Sequence, residues 1–250
     1  KHLYEDALAN DDEYKLRALD DLLDKLCELN LREPVCRKLM QLAERRYGSE
    51  STSHAFQIAT LAELLRAKGS FDEAEPFYKR ATEMIEKLVG SEHHNFATLL
   101  NNRALNLHSL GSYAAARRLF ERSLHIRELL DGVQSKHVAQ SLNNLALVLE
   151  AIGEFDDAVA CYSRAIDIKT EMLGADDPAL ATSLINLGAL LLQQDNTGQA
   201  VAAAQHFERA LEICERTYGQ NHPVTITAKA WHGNCLKKNG NLAGALVIGR

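Results

Sequence analysis

A chain of 250 residues, 46% hydrophobic and 25% charged, has the make-up of an ordinary folded protein and the length for one or two domains. Its formal net charge of −6 excludes the basic surplus that neutralising the phosphates of a nucleic-acid partner requires. No apolar run reaches the roughly 18–20 residues needed to span a bilayer, and four prolines with few β-branched runs argue against a sheet protein.

The chain begins at Lys1, without methionine or a charged-then-apolar leader, and is expected to be a fragment of a longer protein. Residues 1–12 are acidic and polar and are expected to be loosely ordered. Acidic groups at Glu5-Asp6, Asp11-Asp12-Glu13 and Asp20-Asp21 read as a solvated face. Residues 1–33 lack the pattern that follows and read as an N-terminal helical cap.

From residue 34 to residue 250 the text repeats. Gly69, Gly111 and Gly153 stand 42 residues apart, as do Gly48, Gly90, Gly132 and Gly174. Gly219 and Gly240 arrive after a step of 45, which places three extra residues near Val201–Gln205. Each unit carries an aromatic (Tyr78, Phe120, Tyr162, Phe207) followed by a small residue (Ala81, Ser123, Ala165, Ala210). Small residues also recur earlier in the unit, at Ala62, Ala104, Ala146, Gly188 and Gly233. Ala116, Leu119, Phe120 and Leu124 fall on one face of a helix, so each unit is read as two helices joined by a glycine turn. Ser70, Asp72 and Ser112 are the expected N-caps.

Helices are expected at about 12–30 with 34–47, 51–68 with 71–89, and 93–110 with 112–131. They continue at about 135–152 with 154–173, 177–194 with 196–218, and 222–239 with a cut-short partner from 241, which makes five to six hairpins. A single hairpin cannot bury its apolar face, so neighbours must stack.

The most regular text is SLNNLA at 141–146, GEFDDA at 153–158, YSRAI at 162–166 and LGADDP at 173–178, the last echoed by YGQNHP at 218–223. This wording resembles the tetratricopeptide repeats of kinesin light chains and their nephrocystin-3-like relatives. The resemblance implies an all-α fold, a right-handed α-solenoid of tetratricopeptide helical hairpins, with a concave groove lined by the first helix of each hairpin. It also implies a cargo or adaptor role, binding an extended protein or peptide segment that is acidic or contains tryptophan. A kinesin motor or cytoskeletal complex would be the larger assembly, and the location cytoplasmic, cytoskeletal or ciliary.

Three residues match the family's peptide-contacting elements: Asn101, Arg127 and Asn143. The amides would serve a peptide backbone as donor and acceptor, and the guanidinium would attract its acids. Their replacement is expected to abolish binding without lowering stability. The neighbouring ladder of Asn102, Asn144 and Asn186 either faces the groove or ties the stack together. Ile185 and, as the equivalents of Arg127, Glu86, Lys169 and Cys214 depart from the pattern, and Trp231, in the ladder position of the last hairpin, is read as a groove anchor or, by preference, as core. The alternative role is a structural scaffold that uses the convex face and edges.

No nucleophile elbow, P-loop or dinucleotide fingerprint occurs, so no enzymatic activity and no cofactor are expected. Ten histidines lack metal-ligand spacing, and His93 and His222 fall in equivalent interhelical turns, so no metal site is expected. Five scattered cysteines without a CxxC pair read as reduced structural thiols.

Overall fold

The computed structural model describes residues 5, 8, 9, 11–194, 197–238 and 240. The turn expected at Asp195 and Asn196, the partner helix expected from residue 241, and most of the first ten residues lie outside them. The described residues form eleven α-helices and no strand, as the all-α reading requires. They fall into two compact units, residues 1–126 and 127–250.

The first unit holds α1 (Glu13–Lys25), α2 (Leu29–Tyr47), α3 (Thr52–Ala67), α4 (Phe71–Val89), α5 (His94–Ser109) and most of α6 (Tyr113–Asp131). The second holds the end of α6, then α7 (Lys136–Ala151), α8 (Phe155–Leu173), a short 3-10 turn at Pro178–Leu180, α9 (Ala181–Gln193), α10 (Thr197–Tyr218) and α11 (Pro223–Lys238). The boundary expected between residues 33 and 34 falls inside α2.

The α3–α4, α5–α6 and α7–α8 hairpins close in the same way. The Gly69 N–H donates to Arg66 O at 3.0 Å and the Ser70 N–H to Leu65 O at 2.9 Å, a Schellman closure that needs a left-handed residue. Ser70 therefore leaves the extended conformation a side-chain cap requires, and its hydroxyl caps nothing. The side-chain caps stand at the hairpins' first helices instead: Ser51 accepts from the His54 N–H, Ser135 from the Val138 N–H and Asp177 from the Ala179 N–H.

Stepping back 42 residues from this closure leads into the first hairpin. There the Cys27 N–H donates to Asp24 O and the Glu28 N–H to Leu23 O, so Cys27 occupies the glycine slot with φ +55°. The same step turns Ala62 into Asp20, Ala74 into Arg32 and Tyr78 into Cys36. Where two small residues and an aromatic pack in later hairpins, Arg32 Nε donates to Asp20 Oδ1 at 2.8 Å and Nη2 to Asp20 Oδ2 at 3.2 Å. Burial, with the Asp20 carboxylate beside it, pushes the Cys36 thiol up to about 12, and this thiol donates to Asp20 Oδ1 at 3.2 Å. A side chain in the left-handed region carries a conformational penalty of about 1–2 kcal/mol, partly offset by the larger unfolded-state freedom of glycine. Cys27→Gly should therefore raise the thermal midpoint by about 2–4 °C, and an unchanged or lower midpoint would refute this account of the turn.

The core is a ladder of buried aromatics on the second helices. Tyr78 and Phe120 in the first unit and Tyr162 and Phe207 in the second are at most 1% exposed. Full burial of such a side chain contributes about 1.5–3 kcal/mol. In the second unit the ladder shows where the three extra residues lie. Buried Ala158, Tyr162 and Ala165 of α8 correspond to Ala203, Phe207 and Ala210 of α10 at a step of 45. Residues 201–205 are thus already in the new register. Because α10 has 22 residues where α8 has 19, the extra turn sits at its N-terminal end, ahead of Ala200.

Candidate functional site

The first helix of each hairpin buries two stripes against its neighbours and leaves a third facing outward. In α5 of the first unit, Phe96, Ala97, Leu100, Ala104 and Leu107 are buried while Thr98, Asn102 and Ser109 reach the surface or lie half-buried. The pattern returns in the second unit, with Gln140, Asn144 and Ala151 on α7 and Thr182, Asn186 and Gln193 on α9. Of the candidate residues, this face carries Asn102, Asn144 and Asn186.

In the first unit, Asn101 is 2% exposed and its Nδ2 donates to Asn102 Oδ1 at 3.2 Å. Asn102 is half-buried and donates to Glu63 Oε1 on α3. One helical step of about 100° separates the two amides, which is enough to put one inside and its neighbour on the rim.

In the second unit, Arg127 is 5% exposed. Its Nη1 donates to His137 O at 3.1 Å and to Ser141 Oγ at 2.8 Å, tying the end of α6 to α7. Burial holds this guanidinium below its ordinary value. Forty-two residues on, Lys169 repeats the arrangement: Nζ donates to Ala179 O at 3.1 Å and to Ser183 Oγ at 2.7 Å, and burial lowers its pKa too. Asn143, half-buried, donates to the same Ser183 Oγ at 3.0 Å. Asn143, Lys169 and Ser183 are thereby brought together, as are Arg127 and Ser141. Asn144 and Asn186 are half-buried at equivalent places on α7 and α9, and Asn186 lies beside the buried Tyr162 hydroxyl.

Trp231 on α11 stands at the ladder position that follows Asn186. It is 36% exposed, and its ring lies parallel to that of buried Phe207, with centroids 5.8 Å apart and 10° between the planes. One face is therefore core and the other is presented outward.

Two polar ties escaped the sequence reading. In the first unit Arg103 Nε donates to Glu75 Oε1 at 2.8 Å, and Asn106 Nδ2 to Phe71 O at 3.1 Å. Nothing in the repeat marks them, since both residues replace apolar ones. The Lys169–Ser183 tie was open to discovery, because its members sit one repeat beyond Arg127 and Ser141. Among the described residues no group of three or more His, Cys, Asp or Glu side chains is placed to hold a metal ion, and no helix is long and apolar enough to cross a membrane.

Comparison with known proteins adds the following. The family model described as tetratricopeptide repeat matches residues 54–128 and 137–206, more than half of the chain. Among solved structures, BtubC (BKLC) from P. vanneervenii is 22% identical with a TM-score of 0.73, over 88% of this chain and 87% of that one. A putative kinesin light chain of Podosopora anserina with nearly identical tetratricopeptide-like repeats is 20% identical with a TM-score of 0.69, over 79% of this chain and 92% of that one. The quorum sensor NprR from B. thuringiensis, in its apo form, is 15% identical with a TM-score of 0.71, over 94% of this chain and 62% of that one. At these identities the likeness is one of fold. No curated protein matches.

Proposed function

The chain belongs to the tetratricopeptide repeat family, and from that premise we propose that it is an interaction module holding an extended segment of another protein on the first-helix face of its hairpins. The observation that carries this reading is the set of half-buried amides at one register: Asn102 in the first unit, Asn144 and Asn186 in the second. A primary amide offers two donors and an acceptor, which suits an extended backbone whose own N–H and C=O groups lack partners. In the second unit Asn143 and the half-buried Lys169 meet at Ser183 Oγ, and an ammonium there favours acidic residues in the segment. Arg127 contributes positive charge from beneath the surface and holds α7 in place, and Asn101 supports Asn102. A cargo-adaptor role like that of the kinesin light chains it resembles, in the cytoplasm or at the cytoskeleton, is the setting this face suits.

One observation favours a second reading, a scaffold that works through its edges. In the second unit Leu129, Val133, Met172 and Leu173 are 47–58% exposed around the ends of α6 and α8. Clustered apolar exposure of this kind marks a contact surface.

The test is selection of binding segments from a co-expressed peptide library, followed by Asn144→Ala and Asn186→Ala. Each should weaken binding about ten-fold, the loss of a backbone-directed hydrogen bond or two, with the thermal midpoint unchanged. Partners held with undiminished affinity by both variants would defeat the groove reading, and partners lost on Leu129→Ser and Leu173→Ser would favour the edges.

A further inference from the structure

The outward face of the first unit has a chemistry unlike that of the amide ladder. On α1, Tyr14 is 83% exposed and Asp21, two helical turns later, is exposed on the same side. On α3, 42 residues further, Phe56 is 38% exposed, and Glu63 follows at the same seven-residue spacing. An aromatic and an acid thus recur in register on two successive first helices. At these positions the later first helices have Thr98 with Leu105, Gln140 with Leu147 and Thr182 with Ala189, so the pairing is no requirement of the repeat.

Packing does not account for it either. Neither carboxylate is in an ion pair among the described residues; Glu63 only accepts the Asn102 amide on one oxygen. Phe56 and Glu63, with Thr60, Thr98 and Leu99, line one shallow depression between α3 and α5. An exposed ring followed two helical turns later on the same face by a carboxylate without a counter-ion complements one kind of side chain. The stem and flat head of an arginine can lie on the ring while its far edge meets the carboxylate, gaining cation–π attraction and a charge-assisted hydrogen bond together. Lysine gains less, because its compact ammonium is better hydrated.

We propose that the first-helix face of the first unit binds a basic, arginine-bearing segment of a partner protein, with Phe56 and Glu63 forming one arginine seat and Tyr14 and Asp21 a second. The proposal rests on the reading of the first-helix face as the binding face, and it gives the first unit a preference opposite in sign to the acidic one of the second.

The probe is a fluorescein-labelled peptide of about twelve residues, long enough at 3.3 Å per residue to cross several helices, built from glycine, serine and threonine with two arginines. Its controls replace both arginines by citrulline or by glutamate, and anisotropy is read on the full chain. The arginine peptide should bind about ten-fold tighter than the citrulline peptide and lose this margin as ionic strength rises. Glu63→Gln and Phe56→Leu should each remove most of the margin with the thermal midpoint unchanged, and Asp21→Asn part of it. No measurable binding of the arginine peptide, a preference for glutamate, or a margin that survives both Glu63→Gln and Phe56→Leu would overturn the proposal. Should the arginine peptide show no margin while library-selected segments still depend on Asn144 and Asn186, only the arginine seats are lost. Absence of any dependence on those amides would instead remove the groove reading.

Discussion

Arg127→Ala should lower the urea midpoint by the equivalent of about 2–4 kcal/mol, the toll of a cavity plus two acceptors left without their donor. Such a loss says little by itself about whether the guanidinium is worth having, because removing one member of a buried polar tie always penalises the other. The repeat supplies the control. One step of 42 back, Arg127 corresponds to Ile85, not to the neighbouring Glu86 expected from the sequence, and Ser141 to Leu99, both buried in the first unit. The double variant Arg127→Ile with Ser141→Leu copies that apolar pair and should return to within about 1 kcal/mol of the parent. If Arg127→Ala leaves the midpoint where it was, the tie does not stabilise the fold. If the double variant falls as far as the single one, the two positions are not equivalent. The same pair sharpens the binding question. Sequence reasoning expects loss of Arg127 to abolish binding at constant stability, whereas its burial ties the two effects together. The double variant separates them, since it keeps the fold without the charge.

Gly188→Ala is the second substitution with a large expected effect, and its sign differs between two lines of reasoning. Ala62, Ala104 and Ala146 occupy this position in the preceding hairpins, and replacing a mid-helix glycine by alanine ordinarily gains about 1 kcal/mol. Here a Cβ on residue 188 would stand 2.9 Å from both Cε1 and Cζ of Phe207. That ring is fully buried and stacked on Trp231, so it has little room to withdraw. Overpacking of this kind costs about 1–3 kcal/mol, so the net change should be a loss of up to about 2 kcal/mol. Trp231 is the single tryptophan, and its emission reports displacement of Phe207 directly. A more stable variant with an unshifted emission maximum would refute the account, whereas Phe207→Leu added to Gly188→Ala should recover much of the loss.

The extent to which this molecule was legible from its residues follows from what a repeat encodes. Glycines in a fixed step mark backbone turns, and turns bound helices. The helices expected at 51–68 and 71–89 accordingly appear as Thr52–Ala67 and Phe71–Val89. The first hairpin, expected at 12–30 and 34–47, appears as Glu13–Lys25 and Leu29–Tyr47; its turn was misplaced because the backbone keeps the step while the chemistry abandons it, with Cys27 for glycine and charged residues for alanines. Adjacent asparagines were the harder problem. Asn101 and Asn102 are the same residue type, one buried and one on the rim, and only the rotational phase of α5 tells them apart. Arg127 misleads for a related reason: a charged residue in an interaction fold suggests contact with a ligand, yet its guanidinium here finds acceptors on the next helix.

The Asp20–Arg32 pair has a consequence for how a chain of look-alike segments assembles without error. Hairpins that share a register can exchange partners, and an α1-like helix could dock against α4, offering Ala74 in place of Arg32. In that mismatch the Asp20 carboxylate would be buried with no cation to meet it, an error of several kcal/mol. Arg32 against Ala62 would be equally penalised. The first hairpin thus works as an addressed segment among interchangeable ones. The address is written in a charge pair, which penalises shuffling of the first helix during folding and its exchange between two chains.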